Sequence, residues 1–383
     1  MSGKVFMYVS NWDEFGGSPG IGLYQFDQQT GALTFSKMID ESISFGVTCI
    51  NYSNNTIYFA NETEHNPACR AGGGGRVYAF RVNPETGDLA ALGYIDTLCP
   101  NPCYLELDET GSYLLVANHS AQSFATTVEK DIHGKYYAKV IPSDSAVELI
   151  SLHTDGSFGE ILDVKKHTGD GPSKKQLCAH PHSITRSPSG KLFGVVDKGN
   201  DTACFYKIKN GKLELCQKPL QLPTGSGPRY MLYHPREPYF YVNHEICRFV
   251  RSYAYTENGD ITAVSECSIL PDNIPCSPRG VDMQGFCISK DGRYLYTLVH
   301  RPPMISILKL EDKGEMTLLQ ALAMEREWPR AAAVSPNGRY LVTAALKNGE
   351  IDVFRIEENG TLTSTEVCGT QPAPTALTFF VSQ

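Results

Sequence analysis

One unit recurs seven times along this chain, and that recurrence limits the fold more than any other feature. Each copy is a strand ending in a small polar loop, then an aromatic-rich strand, then an acidic or Asn-Gly turn and a short apolar strand. The copies begin KVFMYVSN at Lys4, TIYFANE at Thr56, SYLLVANHS at Ser112, KLFGVVDKGND at Lys191, YFYVNHE at Tyr239, RYLYTLVHR at Arg293 and RYLVTAALKNG at Arg339. Gly31, Gly87, Gly156, Gly211, Gly259, Gly314 and Gly360 fall at their hairpin turns, where the backbone needs positive φ. A further strand precedes most copies, as in NPCYLELDETG, HSITRSPSG, RYMLYHPRE, GFCISKDG and AAAVSPNG, so each unit has four strands.

Four-stranded units repeated radially make a β-propeller, whose blades bury both faces against their neighbours. The expected fold is therefore all-β, a seven-bladed propeller of antiparallel blades forming one domain over residues 1–383. The chain opens at Lys4 on a second-strand pattern, and Thr375–Val381 reads as an inner strand without a successor. Pairing the two would fasten the ring in the first blade and leave no edge open. Composition agrees: 34 Gly, 23 Pro, 20 Tyr and 17 Phe suit short strands and tight turns, and no long helical period appears. Residues 121–145, rich in Tyr, Lys and Ser, form an insertion in the third blade, readable as a surface hairpin or as a lid over one mouth of the ring.

The 42 acidic and 34 basic residues are interspersed, for a formal charge of −8, which argues against a nucleic-acid partner. Neither a signal-length apolar run at the N-terminus nor a membrane-length segment later on is present, so the expectation is a cytoplasmic protein with no membrane partner. The sequence is silent on oligomeric state. Twelve cysteines are scattered, with Cys99 and Cys103 the single close pair, so free, packed thiols are expected rather than a metal site. The glycine run ending at Gly75 precedes a strand, which makes it a loop and not a phosphate cradle.

The stretch from Lys174 to Tyr206 gathers His180, His182, Asp197 and Asp201 near strand ends, where loops present polar groups to a ligand. His182 stands at the start of an inner strand; Arg229, in GSGPRYML, and Arg330, in EWPRAAAV, repeat that position in later units. A second layer follows the second strands: Glu62, Asn118 with His119, Asp197, Glu245, and His300 with Arg301. Acid, base and fixed positive charge together suit hydrolysis or isomerisation of an anionic ester. Any one of these residues taken alone reads equally as a capped turn or an inter-blade ion pair. His180 reads as a packed structural histidine, and two histidines without carboxylates at ligand spacing argue for neither a metal nor any other cofactor.

The segments GDGPSKKQLCAHPHS with VDKGND, GSGPRYMLYHP with VNHE, SKDGRYLYTLVHR and WPRAAAVSPNGRYL resemble the seven-bladed propeller lactonase family over nearly the whole chain. That family contains propeller-type 6-phosphogluconolactonases and the fungal 3-carboxy-cis,cis-muconate lactonizing enzyme. The resemblance implies that His182 matches the proposed catalytic histidine, Arg229 the Gly-Pro-Arg arginine and Glu245 the glutamate of the Asn-Glu loop, with His182 or Glu245 as base. Arg330 looks like the Pro-Arg arginine of a later blade; with Arg301, Asn118, His119, Glu62 and Asp197, taken from their equivalent offsets in the repeat, it is a substrate-binding candidate, and the ligand expected is a small anionic sugar lactone or related carboxylate. Arg76, Arg251 and Arg279 are further candidate anchors for an anionic group. Three residues depart from the family pattern: Tyr230 in place of His, His119 in place of Tyr, and Lys198 in place of Leu. Hydrolysis of a sugar-acid lactone is the reading this implies; a lactonizing cycloisomerase and a non-catalytic binding scaffold are the alternatives.

Overall fold

The computed structural model describes residues 3–13, 17–64, 74–122, 124–274 and 281–382. Its strands form seven antiparallel blades of four strands, the fourth blade with an added two-residue piece at Leu220–Gln221, and one separate hairpin, and the helical content among the described residues is a single turn at Asp312–Gly314. Val5–Asn11, Thr56–Asn61, Tyr113–Asn118, Phe193–Asp197, Tyr239–His244, Tyr294–His300 and Tyr340–Ala345 are the second strands, at the seven places where the repeated unit begins. They are buried almost throughout, whereas outer strands such as Leu33–Ile39 are largely exposed. All seven turn glycines have positive φ, between 70° and 98°.

The blades pack through seven apolar clusters. Polar atoms tie blade to blade as well. The Tyr8 hydroxyl donates to the carbonyl of Gly87 at 2.7 Å and that of Tyr58 to Gly156 at 2.8 Å, so a second-strand tyrosine in one blade grips the turn of the next.

Closure follows the sequence expectation. Pro374–Val381 is the inner strand of the first blade and pairs antiparallel with Val5–Asn11. Thr375 Oγ1 also donates to the Phe45 carbonyl at 2.7 Å, joining this strand to the second blade. The inserted segment folds as a hairpin, Ala125–Lys130 paired with Tyr136–Ile141, mostly exposed. No helix is long and apolar enough to cross a membrane.

Five inner strands share one local device. Ladder register shifts at Pro102/Tyr104, Pro181/Ser183, Pro228/Tyr230 and Pro329/Ala331, and beside Pro374 in the closing strand. Proline is tolerated at the first position of a strand, where its missing N–H breaks no ladder bond. The bulge that follows re-aims one side chain. The residues so placed are Cys103, His182, Arg229, Arg330 and Thr375.

Candidate functional site

A cavity of about 620 Å³ opens at the end of the ring where second strands finish and inner strands begin. Cys103, His182, Arg229 and Arg330 line it from the bulges. Trp12, Glu62, His119 and Lys198, each the first residue beyond a second strand, line it from the other rank. A smaller cavity of about 290 Å³ continues along the inner strands, and Arg330 lines both.

The pleat explains the second rank. Successive side chains on a strand alternate in direction, so in the third and fourth blades the last strand residue turns into the blade and the next one faces the opening, whereas in the second blade Asn61 reaches the lining along with Glu62. Asp197 and Asn118 are last strand residues and are fully buried. The Asp197 carboxylate accepts N–H bonds from His180 at 2.7 Å and Gly199 at 2.9 Å, and its other oxygen meets His167 Nδ1 at 2.8 Å. Asn118 Nδ2 donates to Glu148 at 3.0 Å. Neither lines the cavity, which corrects their assignment as substrate-binding residues: Asp197 ties together the two loops that carry His180 and Lys198, and Asn118 holds Glu148. Arg301 is corrected too, because its guanidinium is engaged by Asp282 and it lies outside the lining. Of the other arginines, Arg76 lines the cavity while paired with Asp96 at 2.5 Å, and Arg251 pairs with Glu266 away from it. Arg279 lies outside the described residues.

Glu245 occupies a third kind of place. Its Oε2 receives Arg229 Nη1 at 2.5 Å and Lys198 Nζ at 3.2 Å, and its Oε1 lies 3.8 Å from Lys175 Nζ. Burial alone would raise this carboxyl, but Lys198, Arg229 and Lys175 together hold it well below the usual carboxylate range. An anion so firmly held is a poor proton acceptor. It does not line the cavity, so its geometry is that of a strut behind the two cations that do.

The histidines form a stack. His119 lies flat on His180, centroids 4.2 Å apart and planes 9° apart, and meets His182 edge-on at 5.4 Å; His182 in turn meets Tyr230 edge-on at 5.4 Å. Burial, then Arg229, Lys198, His119 and Arg330, keeps His182 well below the ordinary imidazole value, and its buried Nδ1 has no hydrogen-bond partner. Burial and Lys198 likewise push His180 down to about 4. The His182 imidazole is therefore unprotonated, the form from which a general base acts, and the same burial and cations lower its basicity. Arg330 stacks on Trp12, 4.1 Å from the ring centroid. The Glu62 carboxylate rests against Gly46, where a Cβ would overlap it.

Sequence reasoning had noted Lys198 only as a departure, and it missed Trp12 and Cys103. The signals existed: Trp12 and Lys198 follow second strands as Glu62 and His119 do, and Cys103 follows a proline as His182 does. At the foot of the inserted hairpin, Gln122 lines the cavity and donates its backbone N–H to Glu64; no other described residue of the insertion reaches the lining. Among the described residues no group of three or more His, Cys, Asp or Glu is arranged to hold a metal ion.

Residues 6–379 match the family model described as "Lactonase, 7-bladed beta-propeller". A protein of Bacillus subtilis named 6-phosphogluconolactonase is 26% identical over 329 residues, 85% of this chain and 84% of the relative. A 6-phosphogluconolactonase of Formosa agariphila is 24% identical over 338 residues, 86% of each. In fold, the chain is similar to the periplasmic gluconolactonase of Pseudomonas aeruginosa, with a TM-score of 0.86, 22% identity and coverage of 99% of this chain and 100% of the other.

Proposed function

The chain belongs to the seven-bladed β-propeller lactonase family, and from that premise we propose that it hydrolyses a sugar-acid lactone by general base catalysis at His182, with no metal in the mechanism. One observation carries the reading: a neutral imidazole and two cations braced by one carboxylate line the same cavity. His182 takes a proton from the water that attacks the lactone carbonyl. Arg229 and Lys198 face the oxygen on which negative charge develops, the role a preorganised oxyanion site performs. When the tetrahedral intermediate collapses, the ring C–O bond breaks and the proton held by His182 passes to the leaving ring oxygen. The products are a hydroxyl group and a carboxylic acid, which ionises. Glu245 fixes Arg229 and Lys198 in place, and Glu62, His119 and Arg330 complete the walls that hold the sugar. The charged and polar lining also argues against a mere protein-binding scaffold, whose docking faces are apolar.

His182→Ala tests this directly. A positioned base contributes about 10²–10⁴-fold, so turnover should fall by that order while the melting temperature stays near that of the parent. The parent's kcat/KM should hold as pH falls through 6.5, the ordinary imidazole value, because the folded pKa of His182 is depressed and the base stays unprotonated there. Turnover by His182→Ala equal to the parent's would sink the assignment.

A further inference from the structure

The channel below the cavity bears on which lactones the protein takes, given the lactonase reading above. This second cavity, of about 290 Å³, is near the size at which small-molecule pockets begin, about 300 Å³. Val47, Tyr104, Tyr230, Phe286, Ala332 and Leu377 line it. Its threonines are engaged within the wall: the hydroxyls of Thr48 and Thr378 bond to each other, and Thr375 Oγ1 donates to the carbonyls of Ser10 at 3.1 Å and Phe45 at 2.7 Å. An apolar occupant leaves those bonds intact. Among the described residues, charge in the lining is confined to Arg330, shared with the cavity above, and Glu106, which lies 3.9 Å from Arg186. Glu106 follows Cys103 by three residues on one inner strand, so it stands about 10 Å deeper.

His182 touches the wall of this channel. It meets Tyr230 edge-on at 5.4 Å, and the Tyr230 ring lies 6.0 Å from that of Tyr104, so an aromatic row leads from the base down into the channel. In the proposed reaction His182 returns its proton to the leaving ring oxygen, which places the ring carbon bearing that oxygen beside His182. A substituent on this carbon therefore stands next to Tyr230 with the channel ahead of it. There an apolar group exchanges water for aromatic and aliphatic contact, worth about fourfold in affinity for each methylene fully buried.

We propose that the protein also opens lactones carrying an apolar arm, alkyl or aryl, on the carbon that bears the ring oxygen, with the ring in the upper cavity and the arm in the channel. The step is the one already described: water adds to the carbonyl, the ring C–O bond breaks, and His182 passes its proton to the freed oxygen. The product is a hydroxy acid whose arm sits on the new alcohol carbon. Depth sets the limit, because an arm that reaches Glu106 meets an ion pair in place of an apolar wall and gains no more.

The test measures initial rates in a pH-stat, with spontaneous opening subtracted, for glucono-1,5-lactone and for δ-lactones bearing a methyl, propyl or pentyl arm on the carbon next to the ring oxygen. The enzymes are the parent, Ala332→Leu and Ala376→Leu; both alanines line the channel and not the upper cavity, and they stand on different blades, so one plug serves if the other fails to fold. All substrates are run on one preparation, and a misfolded fraction cancels from their ratios. The parent's kcat/KM should rise by about two- to fourfold per methylene from the methyl to the pentyl arm, and a plug should lower the pentyl-to-methyl ratio by about tenfold while the rate with glucono-1,5-lactone holds. A flat series in the parent, or plugged enzymes that keep the parent's ratio, overturns the proposal and leaves the lactonase reading, judged on glucono-1,5-lactone, intact. A parent that opens none of these lactones faster than buffer overturns that reading, and this inference with it.

Discussion

Replacing Glu245 by Gln separates a strut from a base. The carboxylate holds Arg229 at 2.5 Å and Lys198 at 3.2 Å, and the side chains of all three are 12% exposed or less. Gln keeps the shape and removes the charge, leaving two cations buried beside each other without an anion. Breaking a buried pair on one side costs about 3–5 kcal/mol. For 383 residues, an unfolding entropy of about 2.1 cal/mol/K per residue gives about 0.8 kcal/mol/K, so the melting temperature should drop by about 4–6 °C. Because the folded carboxyl is held far below its ordinary value, its stabilisation is complete above the unfolded pKa and is lost only as pH falls through the folded one. The parent and variant should therefore differ fully at pH 7 and converge only in strong acid. Turnover should fall by about tenfold to a hundredfold as Arg229 and Lys198 lose their fixed positions. Thermal melts by circular dichroism at pH 7, paired with lactone initial rates across pH, supply both readouts. A Glu245→Gln enzyme that melts with the parent yet loses turnover by more than a hundredfold would mark Glu245 as the proton-transfer group and refute the strut.

Two further substitutions probe the frame around the site. Glu148 is fully buried; burial raises its carboxyl to about 7, although Leu98 and Cys99 donate N–H bonds to one oxygen. A raised carboxyl stabilises the fold fully below its unfolded value near 4.5, and that contribution, about 3 kcal/mol, disappears as pH rises through about 7. Glu148→Gln should remove this dependence, so the melting temperature of the parent relative to the variant should fall by about 4 °C between pH 4.5 and 8; parallel curves would refute it. Phe380, fully buried on the closing strand, packs with Phe6, Tyr8 and Phe59 and stacks on Tyr52. Phe380→Ala should cost about 3–5 kcal/mol, or about 4–6 °C, and an unchanged melt would show that this end of the closing strand is not what holds the ring shut.

The fold was legible because its signals are local and repeated. A turn glycine at positive φ, a buried second strand and a half-buried third strand are each written within about fifty residues, and seven copies leave the radial arrangement as the way to bury every face. Closure was legible because the closing strand at the C-terminus reads as an inner strand and the chain near Lys4 as a second strand. What the chain did not disclose is pairing across blades. Lys175 meets Asp282 and Glu245, contacts that exist only once the ring has formed, so nothing near Lys175 in sequence signals them.

The lining of the cavity was legible to within one residue, and the size of that error has a physical cause. His182, Arg229 and Arg330 were found because they sit at equivalent points in the repeat, just after a proline that opens the inner strand. The bulge there turns the side chain toward the opening whatever its chemistry, which is why Cys103, unremarkable as a type, lines the cavity as well. In the other rank, residue type drew attention to Asp197, while position favoured its neighbour Lys198. An acid at a strand end looks catalytic, but the pleat sends that side chain among backbone N–H groups and presents the next residue to the ligand. Applied to the remaining copies, the same offset accounts for Trp12 after Asn11 and for Glu62 after Asn61. It stops at Glu245 and Arg301, which stand at the right offset in the fifth and sixth blades but are each drawn onto a partner of opposite charge. Position in the repeat decides which side chains are aimed at the cavity; at Glu245 and Arg301 an ion pair to a neighbouring side chain accompanies their absence from the lining, whereas Arg229 and Lys198 stay in it while paired.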